Sequence, residues 1–164
     1  MIDKQMAEAI NRQINKELFS SYLYLAMSSD AMDKGYKGVA NWMKIQGAEE
    51  QEHAERFIDY LQNRGAKVEL EAIEKPQAAW NDVKTMFEDT LKHERFITAS
   101  INDLGKLAKK LEDFASLEML QWFFKEQVEE EGSVEDILWM LEMAAGSKGA
   151  MFQVDRQLGK REDD

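Results

Sequence analysis

The chain contains no cysteine. That excludes a disulfide framework and any thiolate metal site, and leaves oxygen and imidazole as the only strong metal donors. Histidine is scarce too, with only His53 and His93. One proline, Pro76, and nine glycines in 164 residues leave little to interrupt a helix. No stretch approaches the roughly 18 apolar residues that cross a bilayer, and Met1 to Met6 lacks the basic flank and apolar run of a signal peptide. A cytoplasmic location is expected. Positive charge is short as well: 21 Lys plus Arg against 32 Asp plus Glu give a net charge of −11. Such a surface repels phosphate backbones and anionic membranes and attracts cations, so neither nucleic acid nor a membrane is expected as a partner.

What is present forms helices. Ala, Leu, Met, Glu, Lys and Gln are abundant, and no alternating apolar run longer than about four residues argues for a strand. With 44% hydrophobic residues the chain suits one domain over 1–164. Asp3 is a candidate N-cap, and Gly35, Gly65 and Gly146 are candidate helix stops. The expected helices run over about 3–34, 38–64, 81–109, 113–143 and 147–158, followed by a charged tail at 160–164. The third boundary is poorly marked, because Leu107 to Phe114 is itself helix-compatible. The segment 65–80 carries Pro76 and, extended over about 50 Å, can recross helices about 40 Å long. The fold class is therefore all-α, a four-helix bundle with one long crossover and a short fifth helix.

Steps of three and four trace an inward stripe on each helix. The third helix reads Val83, Phe87, Thr90, Glu94, Ile97, Ile101, Leu104. The fourth reads Leu120, Phe123, Gln127, Glu130, Val134, Ile137, Leu141, and the second Val39, Met43, Gln46, Glu50, His53, Phe57, Tyr60. On the first, Ile10, Ile14, Glu17, Ser21 and Tyr24 keep the spacing, with Leu18, Tyr22 and Leu25 completing a broad inward face. Each stripe turns polar near its middle. No lysine or arginine shares the stripes, and carboxylates buried without partners cost several kcal/mol or protonate. Two divalent cations held by Glu17, Glu50, His53, Glu94 and Glu130 resolve the conflict. Glu50-x-x-His53 on one helix face, completed by single glutamates from other helices, is the donor arrangement of di-iron carboxylate bundles.

At these residues the chain resembles the ferritins, most closely the non-haem bacterial type. The likeness rests on Asn15-Lys16-Glu17-Leu18, Glu49-Glu50-Gln51-Glu52-His53, Glu94, and Gln121-Trp122-Phe123 followed by Glu126-Gln127-Val128-Glu129-Glu130-Glu131. The resemblance implies a first iron site of Glu17, Glu50 and His53 and a second of Glu50, Glu94 and Glu130. Glu50 bridges them, and Gln127 holds a ligand or a water. It implies a third, looser iron site at Glu49, Glu126, Glu129 and Glu130, for which the plainer alternative is a solvated acidic face. It also implies Fe(II) oxidation by dioxygen or peroxide, storage of a ferric mineral, and a hollow homo-oligomeric shell of twenty-four subunits in which the fifth helix packs around an axis. Haem-binding relatives look different, with methionine where Gln51 stands and a second Glu-x-x-His where this chain has Gln127-x-x-Glu130, so no haem is expected.

Tyr24 lies seven residues after Glu17. In similar ferritins a tyrosine there neighbours the iron centre as an electron source; the alternative is a core aromatic hydrogen-bonded to a glutamate. His93 points about 100° away from the stripe, towards an exposed or interface position. Tryptophans 42, 80, 122 and 139 and the ten methionines read as packing residues, with Trp122 beside the site. Two rival functions remain open: a di-metal oxidase or peroxidase that stores no mineral, and a metal-free bundle with a buried polar layer that fixes register.

Overall fold

The computed structural model describes residues 1–162, so the last two residues of the charged tail lie outside the described part. Five helices follow in order: α1 (Lys4–Asp33), α2 (Lys37–Asn63), α3 (Val83–Lys110), α4 (Phe114–Met143) and α5 (Lys148–Leu158). Among the described residues there is no strand. No helix is long and apolar enough to cross a membrane. Asp3 caps α1 by accepting from the Gln5 amide at 2.8 Å. Gly35, Gly65 and Gly146 adopt φ of +87°, +71° and +78°, the left-handed conformation that turns the chain off a helix end.

α1 and α2 form one antiparallel hairpin and α3 and α4 the other. The connection between hairpins, 64–82, runs up the outside of α1. The Asn11 amide donates to the Lys67 carbonyl at 3.1 Å and its oxygen accepts from the Glu69 amide at 2.8 Å. Farther along, Asn15 reaches the Ala72 carbonyl at 3.3 Å, and Asp30 accepts from the Trp80 amide at 3.1 Å. From Asn11 to Asp30, α1 thus supplies the track that carries the chain to the end of the bundle where α1 stops and α2 starts, and Asp82 then caps α3 through the Thr85 amide at 2.7 Å.

The α3–α4 turn, which the sequence marks poorly, is set by a contact from another hairpin. Asp113 caps α4 by accepting from the Ser116 amide at 3.1 Å, and Arg64 at the end of α2 grips both Asp113 carboxylate oxygens at 3.1 and 3.2 Å. Two bonds from a planar guanidinium fix the orientation as well as the position of the carboxylate. Glu112, at φ +53°, takes the left-handed position that a glycine fills in the other turns.

The stripes face inward as the spacing predicts on α3 and α4, and on α2 as far as Phe57, with Tyr60 half-buried. On α1 the expected inward face is too broad: Leu18 is half-buried, while Tyr22 and Leu25 are 48% and 57% exposed. At about 100° per residue they stand about 160° and 100° round the helix from Tyr24, and the buried face is filled instead by Gln13, Ser20 and Met27.

α5 docks on the start of α2. Asp155 accepts from the Val39 amide at 2.9 Å, supplying the cap that Tyr36 does not. At Gly38 the two backbones meet so closely that a Cβ would stand 1.6 Å from the Asp155 carbonyl oxygen. Gly38→Ala is therefore expected to undock α5 and lower stability by about 1–3 kcal/mol. Gly132→Ala, where a Cβ meets open space on α4, is expected to be neutral or stabilising. Thermal unfolding of both metal-free variants checks the pair.

Candidate metal centre

The core is two apolar clusters separated by a polar layer. One contains Ile10, Ile14, Phe57, Ile97, Leu120 and Phe123, and the other Tyr24, Met27, Met43, Phe87, Val134 and Ile137. Between them lie Glu17 from α1, Glu50 and His53 from α2, Glu94 from α3 and Glu130 from α4, each at most 5% exposed. Ligand atoms of Glu17, Glu50 and His53 all lie within 4.8 Å of one another, as do those of His53, Glu126 and Glu130. The His53 Nδ1 atom is 3.2 Å from Glu50 Oε2. The imidazole is wedged edge-on against Trp122 and Phe123, with centroids at 5.3 and 6.0 Å. Trp122 thus flanks the site.

Three glutamine amides and one phenol donate into this layer. Gln13 donates to Glu17 Oε1 at 2.8 Å, and Gln46 to Glu130 Oε2 at 2.7 Å and to Glu50 Oε1 at 3.3 Å. Gln127 donates to Glu94 Oε2 at 3.2 Å, and the Tyr24 hydroxyl to Glu94 Oε1. Among the described residues, the buried side-chain oxygens left without a partner are Glu17 Oε2 and Glu130 Oε1. Two acceptors aimed into a dry layer, beside an imidazole and further carboxylates, fit a hard cation with mixed oxygen and nitrogen ligands.

The protons agree. Burial, opposed by the Gln13 bond and by His53, raises the Glu17 carboxyl from 4.5 to about 7. Burial and repulsion from neighbouring carboxylates push Glu50 and Glu130 well up. Burial also raises Glu94 although Tyr24 and Gln127 bond to it, and burial with the adjacent carboxylates holds the Tyr24 phenol well above its ordinary range. These shifts favour the protonated carboxyls where no cation is bound.

The acidic residues of the looser set divide. Glu126 is half-buried beside His53 and Glu130, and its carboxyl is raised by partial burial and by Glu129 and Glu49. Glu129 is exposed, and Glu49 is paired with Arg161 at 2.5 Å. His93 is half-buried, its Nε2 2.7 Å from Ser20 Oγ among Phe19, Tyr24 and Phe96, and burial lowers its pKa to about 4. Of the tryptophans, 42 and 80 are buried and Trp139 is 66% exposed. Two participants escaped the sequence reading. Gln13 lies one turn before Glu17 on the same face, a legible signal; Arg161 belongs to the charged tail and carried none.

The ferritin-like domain family model matches residues 7–144. The chain belongs to the ferritin family. It is 32% identical over 161 residues to a bacterial non-heme ferritin of Staphylococcus aureus, covering 98% of this chain and 97% of that protein. A bacterial non-heme ferritin of Escherichia coli is 34% identical, covering 96% of each. The solved open pore ferritin of the hyperthermophilic archaeon Archaeoglobus fulgidus is 41% identical, with a TM-score of 0.98 over 99% of this chain and all of that one.

For this ferritin the layer predicts a coupled dependence on pH and metal. A carboxyl whose folded pKa is raised favours the fold fully below its unfolded value and loses that contribution as the pH climbs through the folded value. For Glu17 the window runs from 4.5 to about 7. The rise in melting temperature caused by a divalent cation is therefore expected to be larger at pH 7.5 than at pH 5.5, with net proton release on binding at the lower pH. An equal rise at both would count against the buried carboxylates as ligands.

Proposed function

We propose that this ferritin stores iron by oxidising Fe(II) at a centre inside each subunit, with Glu17, Glu50 and His53 holding one ion and Glu50, Glu94 and Glu130 the other. The observation that carries the reading is the buried layer of four glutamates and one histidine with two unpartnered oxygens between two apolar clusters. Iron is the substrate. Each Fe(II) gives up one electron; dioxygen takes two electrons and two protons to leave hydrogen peroxide, or peroxide takes two of each to leave two waters. Carboxylates suit both oxidation states because they are hard, anionic ligands.

The surrounding residues have separate tasks. Gln13 and Gln46 each hold one oxygen of Glu17 and Glu130 and leave Glu17 Oε2 and Glu130 Oε1 free for an arriving ion, while Gln127 and Tyr24 hold the two oxygens of Glu94. Tyr24, hydrogen-bonded to Glu94, is placed to supply an electron. No haem takes part in this reading. The product collects in a cytoplasmic shell of about twenty-four copies of the 19.0 kDa chain. The exposed large apolar side chains Leu25, Phe96, Val128, Trp139 and Phe152 are candidates for burial between copies in such a shell.

Aerobic addition of several hundred Fe(II) per assembly to the metal-free protein tests the proposal. A soluble ferric mineral should co-elute with a particle of the shell's size. Oxidation without retained mineral would favour a di-metal oxidase, and a monomer or dimer without iron would end the storage reading. The double variant Glu50→Ala, His53→Ala should still assemble but lose the rapid initial oxidation.

A further inference from the structure

Arg161 lies three residues beyond the end of α5 and reaches back across α2. Its Nη1 donates to Gln46 Oε1 at 2.9 Å and to the Trp42 carbonyl at 3.4 Å. Its Nη2 donates to Glu49 Oε2 at 2.5 Å, and the guanidinium stands 4.5 Å over the Trp42 ring. The side chain is only 22% exposed and that of Glu49 29%, so the pair is screened far less than a surface ion pair.

Gln46, 1% exposed, is the link inward. Its oxygen faces Arg161 while its NH₂ group donates to Glu50 and Glu130. Turned over, the amide would set its oxygen against two carboxylates and its NH₂ group against a guanidinium. Arg161 therefore selects the orientation that serves the two carboxylates. The same fork neutralises Glu49, and only a planar guanidinium satisfies both acceptors at once.

We propose that Arg161 is a positioning residue for the iron centre, which orients Gln46 over Glu50 and Glu130 and, by occupying Glu49 as a built-in cation, limits each subunit to two ions. The proposal rests on the di-iron reading above. It distinguishes this chain from the looser three-iron arrangement, because the guanidinium engages Glu49 Oε2 and sets a positive charge where a third cation would have to bind.

Anaerobic calorimetric titration of Fe(II) into the metal-free full-length assembly tests it. Wild type should bind about two per subunit and Arg161→Gln about three, because Glu49 is released to join Glu126 and Glu129. Arg161→Lys, which keeps a charge beside Glu49, should stay near two, and Arg161→Gln with Glu49→Gln should return to about two. Glu49→Gln alone should bind as many ions as wild type, and this variant decides the matter if Arg161→Gln does not assemble. About three ions in wild type, no gain in an assembled Arg161→Gln, or a loss of bound iron in Glu49→Gln would each overturn the role of Arg161. Failure of wild type to bind Fe(II) at all would instead overturn the ferroxidase reading on which it rests.

Discussion

Four carboxyl groups from four different helices meet in the middle of a core that excludes water, and their mutual repulsion is the constraint around which the rest of the structure is arranged. Burial and proximity raise all four pKa values, which favours protonated carboxyls wherever no cation is bound. The layer is a weak point for stability and a strong point for binding, because whatever positive charge enters relieves the same repulsion. Apolar clusters on either side contribute the burial that makes such a layer tolerable.

The layer is organised from outside inward. Each of three glutamines presents its NH₂ group to a carboxylate and is itself in contact with polar groups farther out. The Ser100 hydroxyl donates to the Gln13 oxygen at 2.5 Å, and the Lys16 ammonium to Ser100 at the same distance. Arg161 serves Gln46, and Gln127 also reaches Thr98, whose hydroxyl donates to Glu131 at 2.5 Å. Side chains on or near the surface thus set the amide orientations on which the ligand geometry depends.

The connections serve the same end. The crossover is held along α1 by Asn11, Asn15 and Asp30, and the second hairpin is registered on the first by Arg64 and Asp113. Those contacts bring Glu94 and Glu130 to the level of Glu17 and Glu50. A sheet would have imposed this register through its ladder; a bundle needs a few specific polar contacts at its ends.

Local pattern alone reveals the helices, the crossover and the polar residues at mid-helix. Helical spacing is local, and a charged residue interrupting an apolar stripe is visible without any neighbour, as at Glu94 between Thr90 and Ile97. It also brought out Gln127, because that residue shares the stripe of Glu130. Tertiary structure alone decided which groups meet from different parts of the chain. It turned Tyr22 and Leu25 outward, set His93 beside Ser20 of α1, placed the α3–α4 turn at the Arg64 pair, and brought Arg161 to Gln46 and Glu49. None of these follows from periodicity, because each depends on how far one helix is rotated or displaced against another, and that is fixed only when the side chains pack.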